Sequence, residues 1–247
     1  PPLDAPSSAP SADAFGGLAW SQTLLHAGPP LCVQALDAPL LLELAAARDA
    51  MIEVTAAVGD TLVFGSAMLR VYGAKLIDEG KLRKAFVLGA ERTFEQDPKY
   101  ALRLIVDIAI RALSPAVNDP TTAVQALDQL EDLLRRLGRR RLEIGALRDR
   151  HGVVRLVVPY PAWDDFLALA FDEIRYYGRD SVQVMRRMKA FAADLITALP
   201  PERHEALRRH QQRLDALIAK SFADAHEKQE ASVEDRQGLG VPRKSSG

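Results

Sequence analysis

The spacing of apolar and polar positions changes character along the chain. Up to about residue 74 the apolar residues come in short runs cut by glycine and polar turns. Leu31-Cys32-Val33, Met51-Ile52-Glu53-Val54, Leu62-Val63-Phe64 and Leu69-Arg70-Val71-Tyr72 are separated by turns that include Gly59-Asp60 and Gly65. Runs of this length and punctuation predict strands. Among them, Asp37 followed by Pro39 predicts the capped start of a short helix over 40–48. Residues 75–93 read as a connector, with a helix over 75–84 and a strand over 85–89.

From Asp97 the period becomes helical. Pro98 in the first turn predicts a helix that runs to Leu113 and stops at Ser114-Pro115. After a turn at Asn118-Asp119-Pro120, Thr121 or Thr122 is expected to cap a second helix. That helix carries Val124, Leu127, Leu130, Leu134 and Leu137 on one face and ends at Gly138. Arg150-His151-Gly152 lies between two apolar runs and predicts a hairpin near 142–158. Three further helices follow: 162–177, one capped by Asp180 or Ser181 and broken at Pro200-Pro201, and a last one carrying Leu207, Leu214, Ile218 and Phe222. The expected fold class is therefore α+β. A small β-rich, barrel-sandwich-like subdomain (17–74) and a connector (75–93) precede a mainly α-helical bundle (94–230) with an inserted β-hairpin. Residues 1–16 and 231–247 carry few large apolar side chains and are expected to be a disordered linker and tail. The chain opens Pro-Pro without a methionine, as expected of a fragment or processed product.

Composition narrows the function. Lys+Arg number 32 and Asp+Glu 33, so nothing suggests a nucleic-acid partner. The one basic cluster, Arg135, Arg136, Arg139, Arg140 and Arg141, sits among Glu131, Asp132 and Glu143 and reads as a solvated helix end. One cysteine, Cys32, excludes an internal disulfide and a CxxC motif. The five histidines show no metal-ligand spacing. GxSxG, GxxxxGK[ST] and a strand-helix GxGxxG are missing, so no catalytic residue, metal or cofactor is expected. No apolar run reaches the 18 or so residues of a spanning helix.

Three polar groupings remain as candidate sites. In the helix after Asp97, Lys99, Arg103, Asp107 and Arg111 recur every fourth residue, a stripe on an otherwise apolar cylinder. Asp107 is placed to pair with Arg103 and Arg111, as an ion-pair ladder or a ligand site, and most of this helix's circumference is expected to be buried. The corner after it offers side-chain oxygens at Ser114, Asn118, Asp119 and Thr121, suited to capping helix ends or to holding a ligand. Glu91, Arg92, Gln96 and Asp97 form a polar cluster just before the helix, where Thr93 and Gln96 have capping-box spacing.

The block from Phe86 to Ala123 carries a resemblance. Phe86-Val87-Leu88-Gly89-Ala90-Glu91-Arg92-Thr93-Phe94-Glu95-Gln96-Asp97, then Ala101-Leu102-Arg103-Leu104-Ile105-Val106-Asp107-Ile108-Ala109 and Arg111-Ala112-Leu113-Ser114-Pro115-Ala116-Val117-Asn118-Asp119-Pro120-Thr121-Thr122-Ala123, resembles the signature of a bacterial predicted membrane-protein family with domain of unknown function 2254. It departs from the family in having alanine at Ala116, where glycine is usual, and at Ala101, near which glycine is usual. The resemblance implies a membrane part with several spans upstream, with this chain as the extramembrane portion. It carries over no catalytic or binding residue. A looser likeness, Val58-Gly59-Asp60 through Gly65 to Val71, is to half of a biotinyl/lipoyl-type barrel-sandwich, without the modifiable lysine hairpin.

Together these readings lead to an extramembrane domain of a multi-span membrane protein. It is expected on the cytoplasmic side and acts in homo-oligomeric assembly, vestibule formation or ligand sensing, with a possible transport-related role. An enzyme with a pocket by the Asn118-Asp119 corner and a membrane-independent scaffold are the alternatives.

Overall fold

In the computed structural model, which describes residues 17–240, the short apolar runs pair into two open sheets. The larger has the order β1 (Trp20–Leu25), β5 (Ala67–Tyr72), β3 (Met51–Val54), β8 (Val154–Val157) and β7 (Ala146–Arg148). All its neighbours are antiparallel except β3 and β8, which run parallel with Ile52 opposite Leu156. The smaller is antiparallel, with the order β4 (Thr61–Leu62), β2 (Leu31–Leu36) and β6 (Phe86–Gly89).

The fold is α+β, as the alternating periods predict. The barrel-sandwich likeness extends to short strands and glycine turns, and neither sheet closes into a barrel. The predicted hairpin forms and is inserted in sequence among the helices. In space β8 joins β3, so it belongs with the amino-terminal strands. Accordingly the chain divides into two units: residues up to Tyr100 with Leu142–Ala162, and Ala101–Arg141 with Trp163 onward.

In the first unit α1 (Ala38–Ala47) packs on β3 and β8. Its start follows the sequence reading, since the Leu40 amide donates to the Asp37 side chain and Pro39 sits in the first turn. The core holds Leu24, Val33, Leu41, Ile52, Met68, Leu69, Val71, Leu82 and Leu156. α2 is shorter than expected, Glu79–Lys84, because Asp78 caps it by accepting from the Lys81 amide. β1 lies outside the predicted strands: only Leu24 of its six residues is fully buried, and backbone pairing to β5 makes it a strand.

The second unit is helical: α3 (Pro98–Ala112, whose first turn belongs to the first unit), α4 (Pro120–Gly138), α5 (Trp163–Tyr177), α6 (Val182–Ala198), α7 (His204–Ser221) and α8 (Ala225–Ala231). α6 packs against α4, α7 and α8. Phe171 and Phe191 stack at its centre with ring centroids 4.6 Å apart. α4 does end at Gly138, where close approach favours glycine: a Cβ there would fall 2.8 Å from Leu199 Cδ1 and 3.1 Å from the Trp163 ring. The carbonyls left over at this end are met by the buried Arg203, which donates from Nε to Gly138 O at 3.2 Å and from Nη2 to Arg140 O at 2.9 Å.

One expectation about the ends changes. Residues 1–16 and 241–247 lie outside the described residues. Up to Gly240, however, the expected tail is built structure. Asp235 is buried and accepts from the Gln237 and Gly240 amides, Arg236 pairs with Asp194 of α6, and Arg186 donates to Glu230 O at 2.6 Å. Gly238, at φ 70°, passes so close to Gln183 that a Cβ would fall 2.5 Å from its carbonyl oxygen.

Candidate functional site

Of the polar cluster before α3, Arg92 and Asp97 come together. Asp97 is 1% exposed and accepts from Arg92 Nε at 3.0 Å and from Arg92 Nη2. Its other oxygen accepts from the Tyr100 amide at 3.1 Å, so Asp97 caps α3. This corrects the expected Thr93–Gln96 capping box. The Thr93 hydroxyl bonds Gln34 O instead, and Gln96 Oε1 accepts from the Leu36 amide at 3.0 Å. Glu91 is exposed, and its carbonyl accepts from Gln34 Nε2 at 2.8 Å. Arg92 lies over the Tyr100 ring at 4.9 Å, and Phe94 stacks on the same ring. The cluster thus closes on itself. Nearby Cys32 is buried, and burial pushes its thiol up while Arg92 partly opposes that, the reverse of an activated nucleophile.

The stripe on α3 is divided. Arg103 donates to Asp107, from Nε at 2.7 Å, and to both oxygens of Glu173 on α5. These two carboxylates hold its guanidinium above the ordinary arginine range. Glu173 was not among the expected partners. Arg111 is exposed and forms no ion pair with Asp107. The expectation that α3 is buried on most of its circumference is also corrected. Leu102, Val106, Ala109 and Ala112 are buried, whereas Leu104 is 38% and Ile108 54% exposed.

The corner is a capping device. Asp119 accepts from the Thr122 amide at 3.1 Å and from the Thr122 hydroxyl, which holds its carboxyl below the usual range. It replaces Thr121 and Thr122 as the cap of α4. Thr121 is exposed, Ser114 Oγ returns to Arg111 O at 2.7 Å, and Asn118 takes a left-handed φ of 46° with its amide on Ser114 O. The two cavities described here are both lined elsewhere.

The arrangement that sequence reading missed lies on α4 and α6. Arg187 is 2% exposed, and its Nε donates to Asp128 Oδ1 at 2.8 Å and its Nη2 to Glu131 Oε2 at 2.6 Å. Glu131 also accepts from Arg135 Nε at 2.8 Å. Arg187 Nη1 is buried without a partner. Asp128, Glu131, Arg135, Arg187 and Arg236 line a shallow, open depression. A signal was present. Arg187 stands three residues after Val184 and four before Phe191, both fully buried, so it occupies a core position of α6. Arg135, read as part of a solvated helix end, belongs to this cluster, while Arg136 pairs with Asp132 on the open face.

Among the described residues no three His, Cys, Asp or Glu side chains are grouped to hold a metal ion. His26 and His204 each bond a nearby carbonyl through Nε2.

A family model of predicted membrane proteins (DUF2254) matches residues 4–194. Uncharacterized proteins of Mycobacterium tuberculosis (strain ATCC 25618 / H37Rv) and of Mycobacterium bovis are each 35% identical to this chain over 138 residues, 56% of the chain and 26% of their own length. The chain therefore spans about a quarter of the length of the curated relatives it matches. No solved structure matches it. No described helix is long and apolar enough to cross a membrane.

Proposed function

We propose, because the chain belongs to the DUF2254 family of predicted membrane proteins, that it is an extramembrane part of a multi-span bacterial membrane protein and acts by assembling copies of itself on the cytoplasmic side. The observation that carries this reading is the open face of α3. Leu104 and Ile108 stand one turn apart on the helix, both exposed, and Val117 just beyond its end is 54% exposed. Single exposed apolar residues are ordinary, but stacked ones on one helix face mark a contact surface. Association of identical chains favours closed symmetry, and a ring of copies would frame a vestibule above the membrane part.

Light scattering of the chain after gel filtration, at several concentrations, tests this. A discrete oligomer that persists on dilution is expected, and Ile108→Glu is expected to reduce it to monomer. A monomer at every concentration would remove the assembly reading. A ligand-sensing role has its own support in the charged, open depression lined by Asp128, Glu131, Arg135, Arg187 and Arg236.

A further inference from the structure

We propose that the tip formed by the β1–β2 and β4–β5 loops is a lipid contact, with Leu25, Val63 and Phe64 seated in the apolar layer of a bilayer. Residues 63–66 make a tight turn. The Ser66 amide donates to Val63 O at 2.9 Å, and Gly65, at φ 83°, takes the left-handed third place with open space around it. Phe64 stands at the corner of this turn, 79% exposed, beside Val63 at 52%. The turn is clamped to the residues that follow β1. The Gly65 amide donates to His26 O at 2.8 Å and the His26 amide to Ser66 O at 2.9 Å, which brings Leu25, 46% exposed, to the same end of the unit. His26 itself is buried and bonds Pro29 O through Nε2, so the second loop is fixed as well.

The chemistry of this tip selects lipid over a folded partner. In a chain that is 26% charged, neither 17–36 nor 61–69 contains Asp, Glu, Lys or Arg, so seating the tip in hydrocarbon desolvates no charge. The amides of His26, Val63, Gly65 and Ser66 are all spent within the two loops, and internally satisfied backbone is what an apolar layer requires. Size argues the same way. A stable contact between folded proteins takes about 20–30 residues a side, several times what these loops present, whereas a fluid bilayer closes around a few projecting side chains without a matching shape. Residues 1–16 join the described chain near Trp20, at the other end of β1 from Leu25. Fully extended they would span about 55 Å, against about 20 Å for the strand, so the point of entry does not dictate which end meets the bilayer. The inference rests on reading this chain, a member of a family of predicted membrane proteins, as an extramembrane part; it does not rest on assembly.

The experiment is fluorescence of the 247-residue chain held on phosphatidylcholine vesicles by an added amino-terminal hexahistidine tag and a nickel-chelating lipid. The tether stands in for a neighbouring membrane part, since three side chains alone hold a diffusing chain weakly. Phe64→Trp places an indole on the tip at a position too exposed to disturb packing, and an unchanged melting curve verifies the fold. On ordinary vesicles its emission should shift to the blue, and on vesicles of acyl-brominated phosphatidylcholine it should be quenched. The native indoles should not respond, because Trp163 is buried and Trp20 lies at the opposite end of β1. Leu76→Trp, at another exposed apolar position, should respond no more than wild type. Adding Leu25→Ser and Val63→Ser to Phe64→Trp should reduce the quenching. No quenching of Phe64→Trp, or equal quenching of Leu76→Trp, overturns the proposal. So does a blue shift that appears without vesicles as the chain is concentrated, which would give the tip to a second copy. A monomeric chain with a quenched tip leaves this inference standing and removes the assembly reading; an oligomer with an unquenched tip does the reverse.

Discussion

Gly59 and the Asp97 carboxylate occupy adjoining space with no room for a side chain between them. Gly59 has a φ of 92°, and a Cβ there would fall 2.7 Å from Arg92 Nη2 and closer still to Asp97 Oδ2. Gly59→Ala therefore meets two penalties. The left-handed backbone costs about 1–2 kcal/mol, and displacing the Arg92–Asp97 pair adds the loss of a buried, charge-assisted bond, for a total of about 3–4 kcal/mol. Gly65 is the control. Its φ is 83°, but open space surrounds its α-carbon, so Gly65→Ala should cost only the backbone term of about 1–2 kcal/mol. Urea titration of the two variants measures the difference, and equal losses would refute the clash.

What the sequence makes legible here is local. Asp37 with Pro39, Ser181 before Val182 and the glycine turn at Gly152 each act through neighbours two to four residues away, and each stands where the pattern places it. What it hides is set by distant pairing. β1 is a strand because β5 lies beside it, and β8 meets β3 across about a hundred residues. The capping spacing of Thr93 and Gln96 is outbid by Asp97, whose burial depends on Gly59. The same holds for the candidate sites. Arg103 and Asp107, four apart on one helix, do pair, while the Glu173 contact required α5 to be in place. Arg187 was legible in principle, as a charge at a core position, but its partners on α4 were not.

Capping at the corner can be separated from ligand binding there. Asp119 holds the first turn of α4 through the Thr122 amide and hydroxyl, while Thr121 is exposed and bonds nothing with its side chain among the described residues. Asp119→Ala should lower the melting temperature by a few degrees, the usual consequence of a lost cap. Asp119→Asn, which keeps an acceptor, should recover most of it, and Thr121→Ala should leave the melting curve unchanged. The carboxyl is held below its ordinary value, so its contribution is present above that value and is lost as pH falls through the lower, folded one. Acid titration of Asp119→Asn should accordingly show a shallower loss. Equal melting of all three variants would mean that the cap is not what fixes the corner.

Arg203 is a stronger determinant than its place at the end of the short 3-10 helix Pro201–Arg203 suggests. It is buried, donates to two carbonyls at the end of α4 and lies 5.4 Å from the Trp163 ring centre, while Trp163 Nε1 returns a bond to Arg203 O at 3.3 Å. Arg203→Met should leave two carbonyls without donors and cost about 2–4 kcal/mol by chemical denaturation. Arg203→Lys should restore little of it, because one ammonium cannot reproduce the forked, ring-stacked geometry. Full rescue by lysine would show that charge alone matters there.

Stability should also respond to pH through His210, which is buried on α7 against Phe171 with ring centroids 5.0 Å apart. Burial pushes its imidazole below the ordinary value of 6.5; Asp172 opposes this, Arg213 and Arg175 reinforce it, and Asp164 opposes it weakly. The folded chain therefore keeps His210 neutral at a pH where the unfolded chain binds a proton. Stability is complete above pH 6.5, declines as pH falls from there toward the lower folded value, and flattens below it. Urea midpoints measured from pH 8 to 5 should show that decline, well above the range in which Asp119, Asp149 and Asp224 titrate, since all three are held below the ordinary carboxyl value. His210→Phe keeps a ring against Phe171 and removes the titration. The variant should lose the slope between pH 7 and 5 whatever its stability at pH 8, and a slope that survives the substitution would assign the effect to another group.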